Sequence, residues 1–88
     1  MMDVKIGDRI FKLEKPSGYK LLKVVDQGKD AADLMRDLIL ICVKEPSLTT
    51  GEVESMDAET FFTLSAKVNE LLADDLKNLQ ELMKSNVK

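Results

Sequence analysis

The sequence predicts a mainly α fold of the α+β class, in which an N-terminal β-hairpin is followed by three to four helices. Residues 2–13 alternate apolar and polar side chains on either side of Gly7-Asp8, as a hairpin does. From residue 18 onward, apolar residues recur at spacings of three and four behind capping signals. With 88 residues the chain has the size of one domain, so we expect residues 1–88 to fold as a single domain.

The hairpin is predicted down to its register. Gly7 is the first residue of a two-residue turn, which favours a type II′ geometry. Pairing Ile6 with Arg9 then places Val4 opposite Phe11. One face becomes apolar, formed by Met2, Val4, Ile6, Phe11 and Leu13, and only Ile10 lies on the wrong side. A lone hairpin is unstable, so this face must cover either the helices or a partner.

Two helices follow the hairpin in the prediction. Ser17 is the expected N-cap of a helix over 18–27, with Gly28 as its stop. Asp30 caps a central helix over 31–44, which is apolar on all sides in its last turns and is therefore buried. Pro46 biases the residue before it away from helical angles and ends this helix. A buried strand over 38–43 is the alternative, since a short apolar run fits either structure.

Residues 45–57 lack periodicity and are predicted to form an acidic loop. Asp57 then caps a final helix over 58–84. Unbroken, this helix would be about 40 Å long, whereas a small domain is about 30 Å across. We therefore expect it either to overhang the domain or to break near Asp74-Asp75. Its apolar stripe from Leu76 to Met83 then forms a partner-binding or oligomer surface, or folds back on the core.

Composition and charge exclude several classes of function. The net charge is −3, with +3 in residues 1–29 (seven basic, four acidic) and −6 in residues 30–88 (six basic, twelve acidic). An acidic chain argues against non-specific nucleic-acid binding, although the split could steer head-to-tail association. No apolar run approaches a membrane span, and no signal peptide is evident. Cys42 is the only cysteine, which fits a cytoplasmic protein, and it is expected to be a small buried apolar residue.

The chain also lacks the residues that most catalytic and cofactor sites need. It contains no histidine, the usual general base and metal ligand. Its four glycines form no phosphate-binding loop, and the acidic loop lacks the ligand spacing of a calcium site. We therefore expect no enzymatic activity, no cofactor and no metal site.

Three segments give the chain a resemblance to a known family. They are the hairpin Val4-Lys-Ile-Gly-Asp-Arg-Ile-Phe-Lys-Leu13 running into Pro16, the helix end Ile41-Cys-Val-Lys-Glu-Pro-Ser-Leu48, and Phe61-Phe-Thr-Leu-Ser-Ala-Lys-Val-Asn-Glu-Leu71. In order and spacing, over about four-fifths of the chain, they resemble the tail assembly chaperones of long-tailed bacteriophages and prophages of Gram-positive bacteria. The stretch after Asp74 has no counterpart in the resemblance.

The resemblance implies a non-enzymatic role in the host cytoplasm. Such chaperones bind the tail tape-measure protein and the tail-tube protein during assembly, and some self-associate. No residue-level site transfers, so the candidate contacts come from the periodicity instead. They are Phe11, Phe62, Leu76, Leu79 and Met83.

Two other functions stay open at this point. One is a small helical adaptor or regulator of the host cell that dimerises through its last helix. The other is a helix-turn-helix DNA binder, which needs a basic recognition helix. The central and final helices are acidic or neutral, so DNA binding ranks last.

Overall fold

The computed structural model describes residues 2–27 and 30–86, with side chains described as far as Leu82. Strands β1 (Met2–Ile6) and β2 (Arg9–Leu13) form the hairpin, and four helices follow within the described residues. They are α1 (Gly18–Val25), α2 (Ala31–Cys42), α3 (Thr50–Glu54) and α4 (Ala58–Asn86), with a short strand β3 (Val43–Glu45) after α2. The predicted α+β class with an N-terminal hairpin is confirmed.

The hairpin has the predicted register. Ile6 pairs with Arg9 and Val4 with Phe11. Gly7 has a φ of +61°, and no other residue in the described ranges has a positive φ, as a type II′ turn requires. Ile10 is exposed, as its place on the polar face predicts.

Side-chain caps start three helices where the sequence places them. The backbone N–H of Lys20 donates to Ser17 Oγ (3.2 Å), and that of Asp33 donates to Asp30 Oδ1 (2.9 Å). At α4, the N–H of Thr60 donates to Asp57 Oδ2 (3.1 Å). Each cap satisfies a donor that the helix leaves unpaired, so these helix starts are set by local chemistry. Helix α1 ends at Val25, two residues before the end of the predicted span 18–27, and the N–H of Asp26 donates to the carbonyl of Leu22 (2.9 Å) there. The predicted stop at Gly28 lies outside the described residues.

The apolar run of α2 ends differently from the prediction. The helix stops at Cys42, two residues early, and Val43–Glu45 continue as β3, antiparallel to β2. The N–H of Glu14 donates to the carbonyl of Cys42 (2.8 Å), and Val43 pairs with Leu13. The free edge of β2 supplies hydrogen bonds that replace those of another helical turn. The chain thereby forms a three-stranded sheet in the order β1-β2-β3.

Residues 45–57, predicted as a loop, contain the short helix α3. Thr49 and Glu52 form a complete capping box, in which Thr49 N–H donates to the Glu52 carboxylate (2.8 Å) and Glu52 N–H donates to Thr49 Oγ1 (3.1 Å). Val53 is fully buried and anchors α3 against α2. The segment that connects α2 to α4 along the chain therefore contains a packed helix.

One apolar core joins the sheet to the helices. The apolar face of the hairpin covers the helices, and α4 packs against α2 and β1. The side chains with the least exposure are Val4, Phe11, Leu13, Leu21, Leu38, Ile39, Cys42, Val43, Val53, Leu64, Val68 and Leu72. The thiol of Cys42 is fully buried, as expected, and this desolvation raises its pKa to about 11.

Helix α4 is continuous through Asp74-Asp75 and does not break there. At 29 residues it is about 43 Å long, and it accounts for the elongated dimensions of 49 × 24 × 18 Å. Of the two predicted alternatives, the structure shows the overhang.

Candidate functional site

The predicted contact residues fall into two separate places, and one of them is in the core. Phe11 has no exposed surface and packs among the core side chains, so it offers no contact to a partner in this conformation. The apolar hairpin face that includes Phe11 covers the helices rather than a partner, and the sequence had left both possibilities open. Phe62 is 67% exposed near the start of α4. Leu76 and Leu79 are half-buried, and the side chain of Met83 lies outside the described part of the structure.

The projecting end of α4 is the first exposed region. Leu72 is fully buried, and Leu76, one turn later, still packs on the core. The ion pair between Lys15 Nζ and Asp75 (3.6 Å) ties the same turn to the segment before α1. Beyond it, Leu79 is half-buried and Leu82 is 54% exposed. We call Leu76, Leu79 and Leu82 the α4 stripe.

The second region is a groove bounded by α2, α3 and the first turn of α4, which we call the α2–α3 groove. It has a volume of about 350 Å³. Its lining combines apolar and charged side chains: Ala32, Asp33, Arg36, Val53, Glu54, Met56, Ala58 and Phe61. Phe62 is not part of this lining, but its exposed ring contacts that of Phe61 edge-on, at 5.9 Å between centroids. Phe62 lies about 21 Å from Leu76 along the helix axis, so the two regions are distinct.

Arg36 organises the charges at the rim of the α2–α3 groove. Its guanidinium donates to Glu54 Oε2 (2.9 Å), Asp37 Oδ1 (3.0 Å) and Asp33 Oδ1 (3.1 Å). The hydrogen bond to Asp37, followed by that to Glu54, raises the pKa of Arg36 above its ordinary value, so it stays charged. Within the groove lining, one cation against the two carboxylates of Asp33 and Glu54 leaves a formal charge of −1.

This groove was not predicted from the sequence. The i, i+3 spacing of Asp33 and Arg36 indicates an ion pair on a helix, but the third partner, Glu54, is 18 residues away from Arg36. The Thr49–Glu52 spacing is the signal that could have placed α3, and with it Val53, beside α2. Phe62 was identified from the sequence, and the structure puts it beside the groove rather than with the α4 stripe.

Other kinds of site have little support in the described residues. Among the described side chains, no group of His, Cys, Asp or Glu is arranged to hold a metal ion; the three carboxylates that converge between α2 and α3 hold the Arg36 guanidinium instead. None of the described helices is both long and apolar enough to cross a membrane. We base the functional hypotheses on the α2–α3 groove and the α4 stripe, while Ile10 and Tyr19 are further exposed apolar side chains outside both.

Comparison with protein-family models, with curated proteins and with solved structures gives no match. No family is shown for this chain, so a functional proposal has to rest on the resemblance of the three sequence segments and on the geometry.

Proposed function

We propose that this protein is a tail assembly chaperone of a long-tailed bacteriophage or prophage. In this proposal it acts in the host cytoplasm, without enzymatic chemistry or a cofactor, and binds the tape-measure protein, the tail-tube protein or both during tail morphogenesis. The order and spacing of the three resembling segments support the family.

The observation that carries a binding role is the α4 stripe. The helix continues past the last fully buried residue, Leu72, and keeps presenting leucines where the core ends. A partly exposed row of leucines on a projecting helix is a common way to bind an apolar patch on another protein. A chaperone needs such a surface, because assembling subunits expose apolar patches that are buried only in the finished structure.

The test is co-purification. The tagged chain is co-expressed with candidate tail-tube and tape-measure proteins, and the proteins that elute with it are quantified. We expect stoichiometric recovery of at least one of them. Recovery of neither, from a folded chain and soluble partners, would contradict the proposal.

A matched pair of variants tests the role of the stripe. Leu79→Asp places a charge on the stripe, whereas Gln80→Asp adds the same charge to the same turn at an exposed polar position. Loss of a side chain that dominates an interface costs about 2 kcal/mol or more. We therefore expect Leu79→Asp to weaken partner recovery by about tenfold or more, and Gln80→Asp to leave it almost unchanged. Equal effects would show that the stripe is not the contact.

The competing function is a helical host adaptor that dimerises through α4, which the same stripe would serve. Sedimentation equilibrium separates the two. A stable dimer that ignores both tail proteins, and that Leu79→Asp converts to monomers, would favour the adaptor.

A further inference from the structure

We infer that the α2–α3 groove is a second docking surface, which binds a cationic segment of another protein through an inserted aliphatic or aromatic side chain. This surface is distinct from the α4 stripe, and the inference does not depend on the chaperone role.

The bottom of the groove fits an apolar side chain. Val53 is fully buried at its base, and Met56 and Phe61 are half-buried along it. A volume of about 350 Å³ is at the lower end of the range for ligand pockets, enough for one or two large side chains. Met56 is unbranched and adapts its shape to an occupant.

The exposed ring of Phe62 points to a partner as well. It is 67% exposed, although it touches Phe61 at the groove. A side chain of an inserting segment would cover part of both rings. Aromatic residues are enriched at the centres of protein interfaces for this reason.

The charge at the groove rim determines which charge a binding segment must carry. Asp33 and Glu54 line the groove and share Arg36, so the charged side chains of the lining carry a formal −1. Half or more of the side chains of Asp33 (50%) and Glu54 (55%) is exposed, so both can meet a lysine or arginine from solution. An anionic segment would be repelled there, whereas a cationic one is attracted and oriented. The occupant that fits both features is a basic amphipathic segment.

The probe for the test is a synthetic helical peptide built from lysine and leucine, with the leucines on one face. Two control peptides keep the length: one replaces lysine with glutamate, and the other replaces leucine with serine. Binding is followed by fluorescence anisotropy, and the site is located from amide chemical-shift changes in the ¹⁵N-labelled full chain. We expect the lysine–leucine peptide to bind far better than either control, with shifts centred on α3 and the start of α4. Raising salt should weaken the binding.

Matched variants separate the groove from general charge attraction. Glu54→Gln removes one rim charge, and Glu70→Gln removes an equally exposed, ion-paired carboxylate nine residues from Phe61, half a turn around α4 from it. We expect Glu54→Gln to weaken peptide binding about two- to fivefold, the size of one exposed ion pair, and Glu70→Gln to have little effect. Phe62→Ala should weaken binding, while Leu82→Ala, on the α4 stripe, should not.

Several outcomes would overturn the inference. Shifts spread over the whole acidic surface, or equal effects of Glu54→Gln and Glu70→Gln, would mean non-specific attraction. Binding of the glutamate peptide with equal affinity would contradict the charge argument. A second copy of the chain could also occupy the groove. If sedimentation shows self-association that Phe62→Ala and Glu54→Gln abolish, that copy is the occupant and the groove does not serve another protein.

Discussion

The two halves of α4 are helical for different physical reasons. The first half, Ala58–Leu72, is rich in weak helix formers such as Thr60, Phe62 and Val68, yet Leu64, Val68 and Leu72 are fully buried along one face. The second half, residues 73–86, has no fully buried side chain among those described, and nine of its fourteen residues are strong helix formers, chiefly leucine and lysine. Packing holds the first half, whereas local preference sustains the second.

This difference explains why the helix neither breaks nor folds back. Packing extends one turn beyond Leu72, where Leu76 still contacts the core and Asp75 pairs with Lys15 (3.6 Å). Beyond this turn, residues that favour helix without tertiary contacts continue α4 outward, and Leu79 and Leu82 project with it. The projecting end is thus held as a helix before any partner binds, which lowers the ordering cost of an interface.

The largest expected effect comes from removing a leucine from each half. Leu64→Ala should lower the free energy of unfolding by about 2–5 kcal/mol, because it leaves a cavity in the core. Leu82→Ala, with a side chain 54% exposed, should change it by less than about 0.5 kcal/mol. Urea denaturation followed by circular dichroism measures both. Similar losses for the two variants would mean that the second half is also packed in solution, which would contradict the proposed difference between the two halves of α4.

A second prediction concerns the charges that hold α3 and α2 beside the packed half. Arg36→Met removes the cation and leaves Asp33, Asp37 and Glu54 close together, so it should destabilise the fold, by less than Leu64→Ala does. The loss should shrink as salt rises from about 0.05 to 1 M, since screening weakens the repulsion left behind.

The control for this prediction is Lys67→Met, which removes an exposed i, i+3 ion pair with Glu70 (3.3 Å) and should be almost neutral. Thermal unfolding midpoints at the two salt concentrations compare the variants. A salt-independent loss for Arg36→Met would attribute the effect to lost packing of its aliphatic stem rather than to charge.

Features set by neighbouring residues could be predicted from the sequence. The hairpin register follows from alternation and from Gly7, and the caps at Ser17, Asp30 and Asp57 follow from one side chain each. Comparing the length of α4 with the size of a domain narrowed its end to an overhang or a break near Asp74-Asp75, without choosing between them. In each case the determining residues lie within one element or beside it.

Features that join distant segments could not be predicted in this way. Strand β3 exists because Val43 meets Leu13, 30 positions earlier, and the charge cluster at the groove needs Glu54 beside Arg36. The burial of Phe11 has the same origin, since alternation shows that its face is apolar without showing what covers it. The helix α3 is different, because the Thr49–Glu52 capping box was present in the sequence and went unused.

The third prediction contrasts matched glycine substitutions in the two halves of α4. Ala66→Gly and Ala73→Gly both replace an exposed alanine. In the packed half the cost of about 0.5–1 kcal/mol should appear as a lower global stability. In the projecting half it should appear mainly as lost helical signal and faster amide exchange beyond Ala73, with a smaller change in the cooperative midpoint. A larger drop in the unfolding midpoint for Ala73→Gly than for Ala66→Gly would mean that the second half of α4 unfolds together with the core.

The smallest expected effect on the free energy of unfolding concerns Asp57, at the start of α4, and it changes only at acidic pH. The hydroxyl of Thr60 donates to Asp57 Oδ1 (2.7 Å), and this bond, with that from the Thr60 N–H, lowers the pKa of Asp57 below its ordinary value. Ionised Asp57 therefore stabilises the fold fully above the pKa of an unfolded aspartate, about 3.9, and this contribution is lost as pH falls through the lower folded value.

Asp57→Asn keeps an oxygen that can accept from the N–H groups of the first turn, but it removes the titration. The variant should be somewhat less stable than the parent chain near neutral pH, and the difference should shrink as pH falls below about 4. Thr60→Val should also reduce the loss of unfolding free energy at low pH, because it removes the hydroxyl donor while leaving the carboxylate. Urea unfolding over a pH series measures all three chains. Parallel curves would show that Asp57 is not held ionised by Thr60, and that the start of α4 depends on packing without help from its cap.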